Sequence, residues 1–344
     1  MRRSGIGRTI RIVLLLLLVA VVVLGVLLFV RAAAFNASVS SALFPSTALL
    51  GPLNGDGRVN VLMVGYGGEG HEGAYLADSI QVLSIDAATD TTTTIPIPRD
   101  LWIEGISSFA QNGKANEVFS TGYLSGEDGR EIDAAGDLMA AVVSEVTGLE
   151  VDHWLAIDFT GFRDMVDAVG GVTVDNPTAF DYTLLPQEHA AGIWDDGGFA
   201  SGQIQLDGAE ALAYSRARYT NVVAESNDFA RSVRQARILG ALRSKLGDGG
   251  PASILPGLSL MDAMEGGVRT NVSAIDLFLL SSHLSSDRRV EMVEGPVLTA
   301  TTNTNGQYIL IPTGWTGPGD YGGLQAYLAS ELSQPIGSSE TDAP

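Results

Sequence analysis

The chain has 344 residues, enough for one large domain or two of ordinary size. Its 20 Lys+Arg face 40 Asp+Glu, and five of the arginines (Arg2, Arg3, Arg8, Arg11, Arg31) precede the first acid, Asp56, so residues 32–344 carry 15 basic groups against 40 acidic ones. A body that acidic repels a nucleic-acid backbone, 45% hydrophobic content excludes a disordered chain, and the absence of cysteine removes disulfides, thiolate metal sites and cysteine nucleophiles together.

Ile12 to Val30 is a run of 19 residues rich in Ile, Leu and Val, with Gly25 its only break in side-chain bulk. At ~1.5 Å per residue a helix of this run crosses roughly 28 Å, about the thickness of a bilayer core. A cleaved signal has an apolar core of only about 7–15 residues, so the run reads as a retained transmembrane helix, 12–30. Four arginines before it and one after it place residues 1–11 in the cytoplasm and the remainder outside. Residues 31–56, rich in Ser, Ala, Gly and Pro, read as a stalk.

The first strand is expected at Val59–Val64, followed by a loop with glycines at 65, 67, 68, 70 and 73. Ile80–Asp86 and Thr92–Ile97 read as a hairpin around Ala87–Asp90. Asp133 is expected to cap a helix whose apolar positions Leu138, Met139, Val142, Val143 and Val146 keep a helical period, stopped by Gly148. His153–Asp158 reads as a strand, Thr160–Val169 as a helix, and Val172–Val174 as a strand. Asp207 and Glu210 form a capping pattern for a helix to about Arg216. Asn227 or Asp228 opens a longer helix to about Leu246, Ser273 and Asp276 cap another, and Val290–Val293 and Tyr308–Ile311 read as late strands. Residues 57–333 are therefore expected to form one α/β domain, a central mixed β-sheet flanked by helices, with 334–344 a flexible tail.

Cations are unevenly spread. Seven of the 15 basic residues beyond the anchor fall between Arg216 and Lys245, and six of these are arginine, the side chain suited to bidentate grip on phosphate. Arg231, Arg234 and Gln235 share one side of a helix, and Arg216 and Arg218 converge if the backbone leaves its helix there. Spacing alone leaves two readings, an anion site and a solvated basic face. Asp78 precedes the second strand and Arg99-Asp100 ends the third; strand ends are where α/β sheets place ligands, although a local ion pair is the alternative. Within the glycine loop, Glu69, His71 and Glu72 are candidate metal ligands or plain surface. The loop matches neither a P-loop nor a dinucleotide fingerprint, and no Gly-x-Ser-x-Gly nucleophile motif occurs.

These residues fall in stretches that resemble the LytR-CpsA-Psr family, membrane-anchored enzymes that attach glycopolymers to bacterial cell walls. The stretches are Asn60–Gly65, Ala77–Asp86, Ile97–Trp102, Lys114–Asn116, Val151–Trp154, Asp158–Phe162 with Val169–Val174, Leu206–Arg218, Asp228–Arg231 with Arg234-Gln235, and Val268–Thr270. The resemblance implies a sheet flanked by helices with an apolar groove for a lipid. It implies that Arg99, Arg216, Arg218 and Arg231 hold the pyrophosphate of a polyprenyl-linked glycan donor, with Gln235 beside them. By the same resemblance Asp78 binds Mg²⁺ (or Mn²⁺) or acts near it, Asp78, Arg99, Arg218 and Arg231 are catalytic, and Lys114 and Asn116 line the same region. The acceptor is then peptidoglycan, the reaction a phosphotransfer releasing polyprenyl phosphate, and nucleic acid is no partner. Asp78, with Asp100 second to it, is the metal ligand or base.

Two positions depart from the family pattern. A metal-sharing aspartate after the first strand falls near Tyr66, and an arginine two residues before Asp78 is Leu76. Glu69, His71 or Glu72 are the residues left to replace that aspartate. Hydrolysis of the donor, and lipid-glycan binding without turnover, stand as alternative functions.

Overall fold

The computed structural model describes residues 57–334, apart from 87, 90, 128–130, 184–195, 247–258, 261, 274–275 and 277–286, together with 30–34 and 36–39. Among the described residues no helix is long and apolar enough to cross a membrane; the expected anchor, up to residue 29, lies outside them.

The fold is mixed α/β. Six strands make the central sheet: β1 (Arg58–Tyr66), β2 (Ala77–Asp86), β3 (Thr91–Pro96), β4 (His153–Asp158), β5 (Val268–Thr270) and β6 (Asp287–Arg289). Their order is β5-β4-β1-β2-β3-β6. β1 sits inside the sheet, antiparallel to β2 and parallel to β4, with Val61 opposite His153. Being covered on both faces, it reads as an almost continuous apolar run rather than an alternating one. The β2–β3 hairpin turns where Asp86 Oδ1 accepts from the backbone N–H groups of Ala88 (3.0 Å) and Thr89 (3.3 Å).

Between β3 and β4 the chain crosses one face of the sheet as α1 (Ala115–Ser125) and α2 (Ile132–Thr147). Leu62, Val64 and Val82 from the sheet, Phe119 from α1 and Met139 from α2 are buried there around Trp154, whose indole N–H donates to Asp137 at 2.7 Å. Gly136 is required at that contact, because a Cβ there would stand 2.4 Å from the Trp154 ring. Gly148 ends α2 at φ +73°, its N–H donating to Ser144 O at 2.9 Å. A C-terminal helix, α6 (Gly322–Ser333), adds Leu324 and Leu328 to the same core.

A second core lies beyond. It joins α3 (Phe159–Ala168), α4 (Gly208–Arg216), α5 (Asp228–Leu246) and the paired strands Val172–Asn176 and Gly202–Leu206 around Val174, Tyr214 and Ile238. In α4, Asp207 accepts from Glu210 N–H and Glu210 accepts from Asp207 N–H, the expected capping box.

Several boundaries differ from expectation. α2 begins at Ile132 after Glu131, leaving Asp133 in its first turn, where it pairs with Arg269 at 2.7 Å. α3 is capped by Asp158, which accepts from Gly161 N–H at 2.8 Å; the carboxylate two residues earlier wins the cap from Thr160. The strand expected at Val290–Val293 is instead Asp287–Arg289, in parallel register with Thr92–Thr94. Val290 still donates one ladder bond to Thr94 O before the chain leaves the sheet. Ser273 and Asp276 do bond each other at 2.8 Å, but the helix they were expected to open lies mostly outside the described residues.

Candidate active site

The site gathers where β2 begins. Gly65 pairs with Ser79 and Tyr66 with Ala77, so Asp78 is the extra residue of a bulge at the start of β2. Its Oδ1 accepts from Arg99 at 2.9 Å and its Oδ2 from Arg216 at 2.6 Å, while its carbonyl oxygen accepts from Arg231 at 3.2 Å. Three elements deliver the three guanidiniums. Arg99 follows β3; Arg216 is the last residue of α4, where a helix C-terminus favours a cation; Arg231 lies in the first turn of α5, which Asn227 caps by accepting from Ala230 N–H at 2.8 Å.

Gln235, one turn beyond Arg231, fixes α5 to the sheet. Its Oε1 accepts from Ser79 at 2.8 Å and from Gln81 at 3.2 Å. Lys114 donates to Asp100 Oδ1 at 2.6 Å, and Asn116 N–H donates to Arg99 O at 3.0 Å, so this pair fixes the Arg99-Asp100 segment from behind. Asp100 is thereby committed to Lys114, with Arg99 Nε a further 3.6 Å contact.

Desolvation alone would raise the Asp78 pKa, but Arg216, Arg231 and Arg99 outweigh it and hold the carboxyl below the ordinary carboxylate range. Asp78 is therefore an anion at neutral pH whose lone pairs are already engaged, a poor base and a good organiser of arginines. With Asp100 beside Arg99 and Lys114 on its other oxygen, the cluster holds four cations against two carboxylates. Arg99, Arg216 and Arg231 thus meet at one part-buried carboxylate rather than spreading over a solvated face.

Asp78, Arg99, Arg231 and Gln235 border a cavity of about 460 Å³ with a mixed lining, apolar at Ile97, Pro98, Phe229, Val233, Met292 and Leu310 and carrying the further charges of Asp100, Arg289, Glu291 and Glu294. Arg216 stacks on the Phe159 ring at 4.1 Å, and His71 packs on the same ring at 5.2 Å between centroids. Burial, with the Arg216 charge, pushes the His71 imidazole below its ordinary range, against the opposing pull of Asp158.

Arg218 is placed differently. The backbone leaves α4 at Ala217, as expected, yet Arg218 lines a second cavity, of about 620 Å³, with Asp181, Tyr219 and Asn221. Asn227 borders both cavities. Arg234 is a tether rather than a ligand group: wholly buried, it donates to Tyr214 O at 2.9 Å, to Glu225 Oε2 at 2.6 Å and to Ala217 O. It thus pins the end of α4 and with it Arg216. Sequence reasoning missed Arg289, which lines the first cavity and donates to Ser232 Oγ at 2.6 Å. Its only signal was the paired arginines at 288 and 289 in a strand placed three residues too late.

The sequence profile of the LytR_cpsA_psr family matches residues 32–314. The chain belongs to the LytR_cpsA_psr family. Among curated proteins it is similar to the polyisoprenyl-teichoic acid–peptidoglycan teichoic acid transferase TagU of Bacillus cereus, 27% identical over 221 residues, 64% of this chain and 62% of that protein. The TagU of Bacillus licheniformis is 27% identical over 232 residues, 67% of this chain and 66% of that one. The match thus spans less than two thirds of these relatives' own length. The crystal structure of Bacillus subtilis TagV superposes with a TM-score of 0.56 at 22% identity, covering 79% of this chain and 95% of TagV. TagT bound to LIIa-WTA does so with a TM-score of 0.56 at 21% identity, covering 80% and 89%. These structures bear on the fold.

Both Asp78 oxygens are engaged by guanidiniums, Glu69 and Glu72 are exposed, and His71 is turned onto Phe159. Among the described residues no group of three or more His, Asp or Glu side chains is placed to hold a metal ion. The substitutes expected for the aspartate missing at Tyr66 do not join Asp78, whereas Tyr66 itself is buried against Phe119 at 5.0 Å.

Proposed function

We propose that this LytR_cpsA_psr protein moves a glycopolymer from a polyprenyl-pyrophosphate carrier onto peptidoglycan. The single observation that carries this reading is the convergence of Arg99, Arg216 and Arg231 on Asp78 beside a cavity that includes an apolar wall of Ile97, Pro98, Phe229, Val233, Met292 and Leu310. A diphosphate carrying a hydrocarbon chain needs that combination, with guanidiniums for the phosphates and an apolar wall for the prenyl units. The names of the TagU relatives, and a TagT structure with LIIa-WTA, support the reaction class.

A hydroxyl oxygen of the acceptor glycan attacks the glycan-side phosphorus. The bond from that phosphorus to the bridging oxygen breaks, polyprenyl phosphate leaves with the bridging oxygen, and the hydroxyl proton passes to solvent. Such a transfer needs in-line positioning and charge stabilisation more than covalent help. In this reading Arg99, Arg216 and Arg231 take the diphosphate and the charge that develops on the leaving phosphate. Asp78 and Gln235 position them, and Arg218 faces the glycan side from the adjoining cavity. Residues 12–30 anchor the chain in a single pass, with 1–11 in the cytoplasm and the catalytic domain outside, at the leaflet that displays the carrier.

The test is to incubate the full chain in detergent micelles with a polyprenyl-pyrophosphate-linked disaccharide and measure released polyprenyl phosphate. Release that requires Arg231 is expected. Wild-type rates in Arg231→Ala, or no release from the wild type, overturn the reading. A covalent product on added peptidoglycan separates transfer from hydrolysis.

A further inference from the structure

We propose that residues 30–39 are a rigid strut that carries the membrane span into the domain and holds the diphosphate cavity at a fixed height over the outer leaflet; this rests on the anchored transferase reading. By composition residues 31–39 belong to the expected stalk. In the structure residues 30–34 and 36–38 are helical, and Val30, the last residue of the expected span, is already part of that helix.

The helix is gripped near both ends. Ala32 and Val39 pack in a cluster with Leu155, Ile157, Met264 and Val268, and Val39 is wholly buried. β5 is an edge strand, and edge amides need a partner. Thr270 N–H of β5 donates to Val39 O at 3.0 Å. Arg269 supplies the clamp: its Nη1 donates to Ser38 O at 3.2 Å, while its Nε and Nη2 hold Asp133 of α2 at 3.2 and 2.7 Å. The last carbonyls of a helix have no partner within it and attract a cation. One guanidinium thus ties the end of the N-terminal helix to both β5 and α2. Nearer the span, Arg31 pairs with Asp262 at the surface.

Distances along this path are short. From residue 30 to residue 39, at ~1.5 Å per residue, the helix covers roughly 14 Å. Ile157 stands opposite Gly65, and Gly65 opposite Ser79, so two strand spacings of about 4.8 Å separate the packing surface from the backbone beside Asp78. A flexible chain over residues 31–56 would instead have a root-mean-square length of about 28 Å and leave the domain free to tumble. The donor is a lipid whose diphosphate stays at headgroup level, so a cavity held near that level meets it at a higher effective concentration.

The chain has no cysteine, so a pair can be placed for spin labels. Ala33→Cys on the helix and Ala141→Cys on α2, both exposed positions, are read by double electron–electron resonance on the full chain in phospholipid nanodiscs. One narrow distance distribution is expected, and Arg269→Ala should broaden it. A broad distribution without that substitution, or a width that Arg269→Ala leaves unchanged, overturns the strut. A second variant leaves the domain's own contacts intact: about six Gly/Ser residues inserted after Val30 uncouple the span from the helix. Release of polyprenyl phosphate from donor in vesicles should then fall about fivefold, with release from donor in micelles at the wild-type rate. Equal rates in vesicles overturn the strut, as does extraction of the chain from vesicles by carbonate. A narrow distribution without donor cleavage by the wild type leaves the strut and removes the transferase. Donor cleavage with a broad distribution does the reverse.

Discussion

Arg216 reaches across 138 residues of sequence to donate to Asp78 Oδ2 at 2.6 Å. The contact joins the last residue of α4 to the first turn of β2, and its partner oxygen holds Arg99 from the other side. A carboxylate clamped between two guanidiniums is held for its geometry, and this shapes what each substitution should do.

Asp78→Asn removes the charge but keeps the shape. Three guanidiniums then lose their common counter-charge, and the folded state should lose about 1–3 kcal/mol, read from urea melts at neutral pH. Donor turnover should fall at least tenfold, because Arg99 and Arg216 lose the anion that aligns them. Unchanged melts and unchanged turnover together would show that Asp78 organises nothing.

The same pair of proteins gives a pH test. Because the folded-state pKa of Asp78 lies below its unfolded value of about 3.9, its stabilising contribution is complete above that value and is lost as pH falls through the folded pKa. The stability difference between wild type and Asp78→Asn should therefore be constant from pH 7 to about 5 and shrink at lower pH. A difference that grows on acidification contradicts the ion-pair assignment.

Arg231→Ala should cost about 10³ in turnover, the order found where one arginine is removed from a phosphoryl-transfer site. Arg231→Lys restores the charge without the planar fork and should recover only part of that loss. Far-UV circular dichroism should be the same in all three proteins.

Metal dependence is open to direct measurement. Without donor, millimolar Mg²⁺ or Mn²⁺ should not shift the thermal melt, since a ligand that binds only the folded state would raise it. A saturable rise that vanishes in Asp78→Asn would reveal a metal site at this carboxylate.

Arg234→Ala should be the most damaging of these substitutions to folding and the least specific to chemistry. It strips the partner from Glu225 and from the carbonyls of Tyr214 and Ala217, all in or near the second core, for a loss of about 3–5 kcal/mol. Surviving folded protein should lose less donor affinity than Arg231→Ala does, which distinguishes a tether acting through Arg216 from a ligand group.

Much of the sheet was legible because its strands are apolar runs between turn residues, with Asp86 setting the hairpin as an acceptor of two backbone N–H groups. α1 was not, since Ser, Thr, Gly and Tyr make up five of its 11 residues and weaken its propensity. α6 was missed because only Leu324 and Leu328 of its 12 residues are buried, and the strand Leu298–Thr302 because only Leu298 of its five residues is buried, which leaves no apolar alternation to mark it.

At the site, motif residues marked Asp78, Arg99, Arg216, Arg231 and Gln235, and the fold brings them together. Spacing could not tell Arg218 from Arg216, because the turn at Ala217 sends one to the Asp78 carboxylate and the other to the cavity beside Tyr219. Nor could helical period separate Arg231 from Arg234: neighbours on α5, one meets Asp78 and the other is sealed beneath α4. Proximity along a loop does not fix side-chain direction: Glu69 and Glu72 are exposed, while His71 packs on Phe159.

The wide separation of these arginines along the chain also has a kinetic meaning. Residues 99, 216 and 231 acquire a shared partner only when long loops close, a late and slow event for contacts of such high order. A nascent chain emerging from its N-terminus therefore holds Asp78 and Arg99 long before it has any competence to seize a carrier lipid, and gains that competence only after the segment through Arg231 has been made and docked.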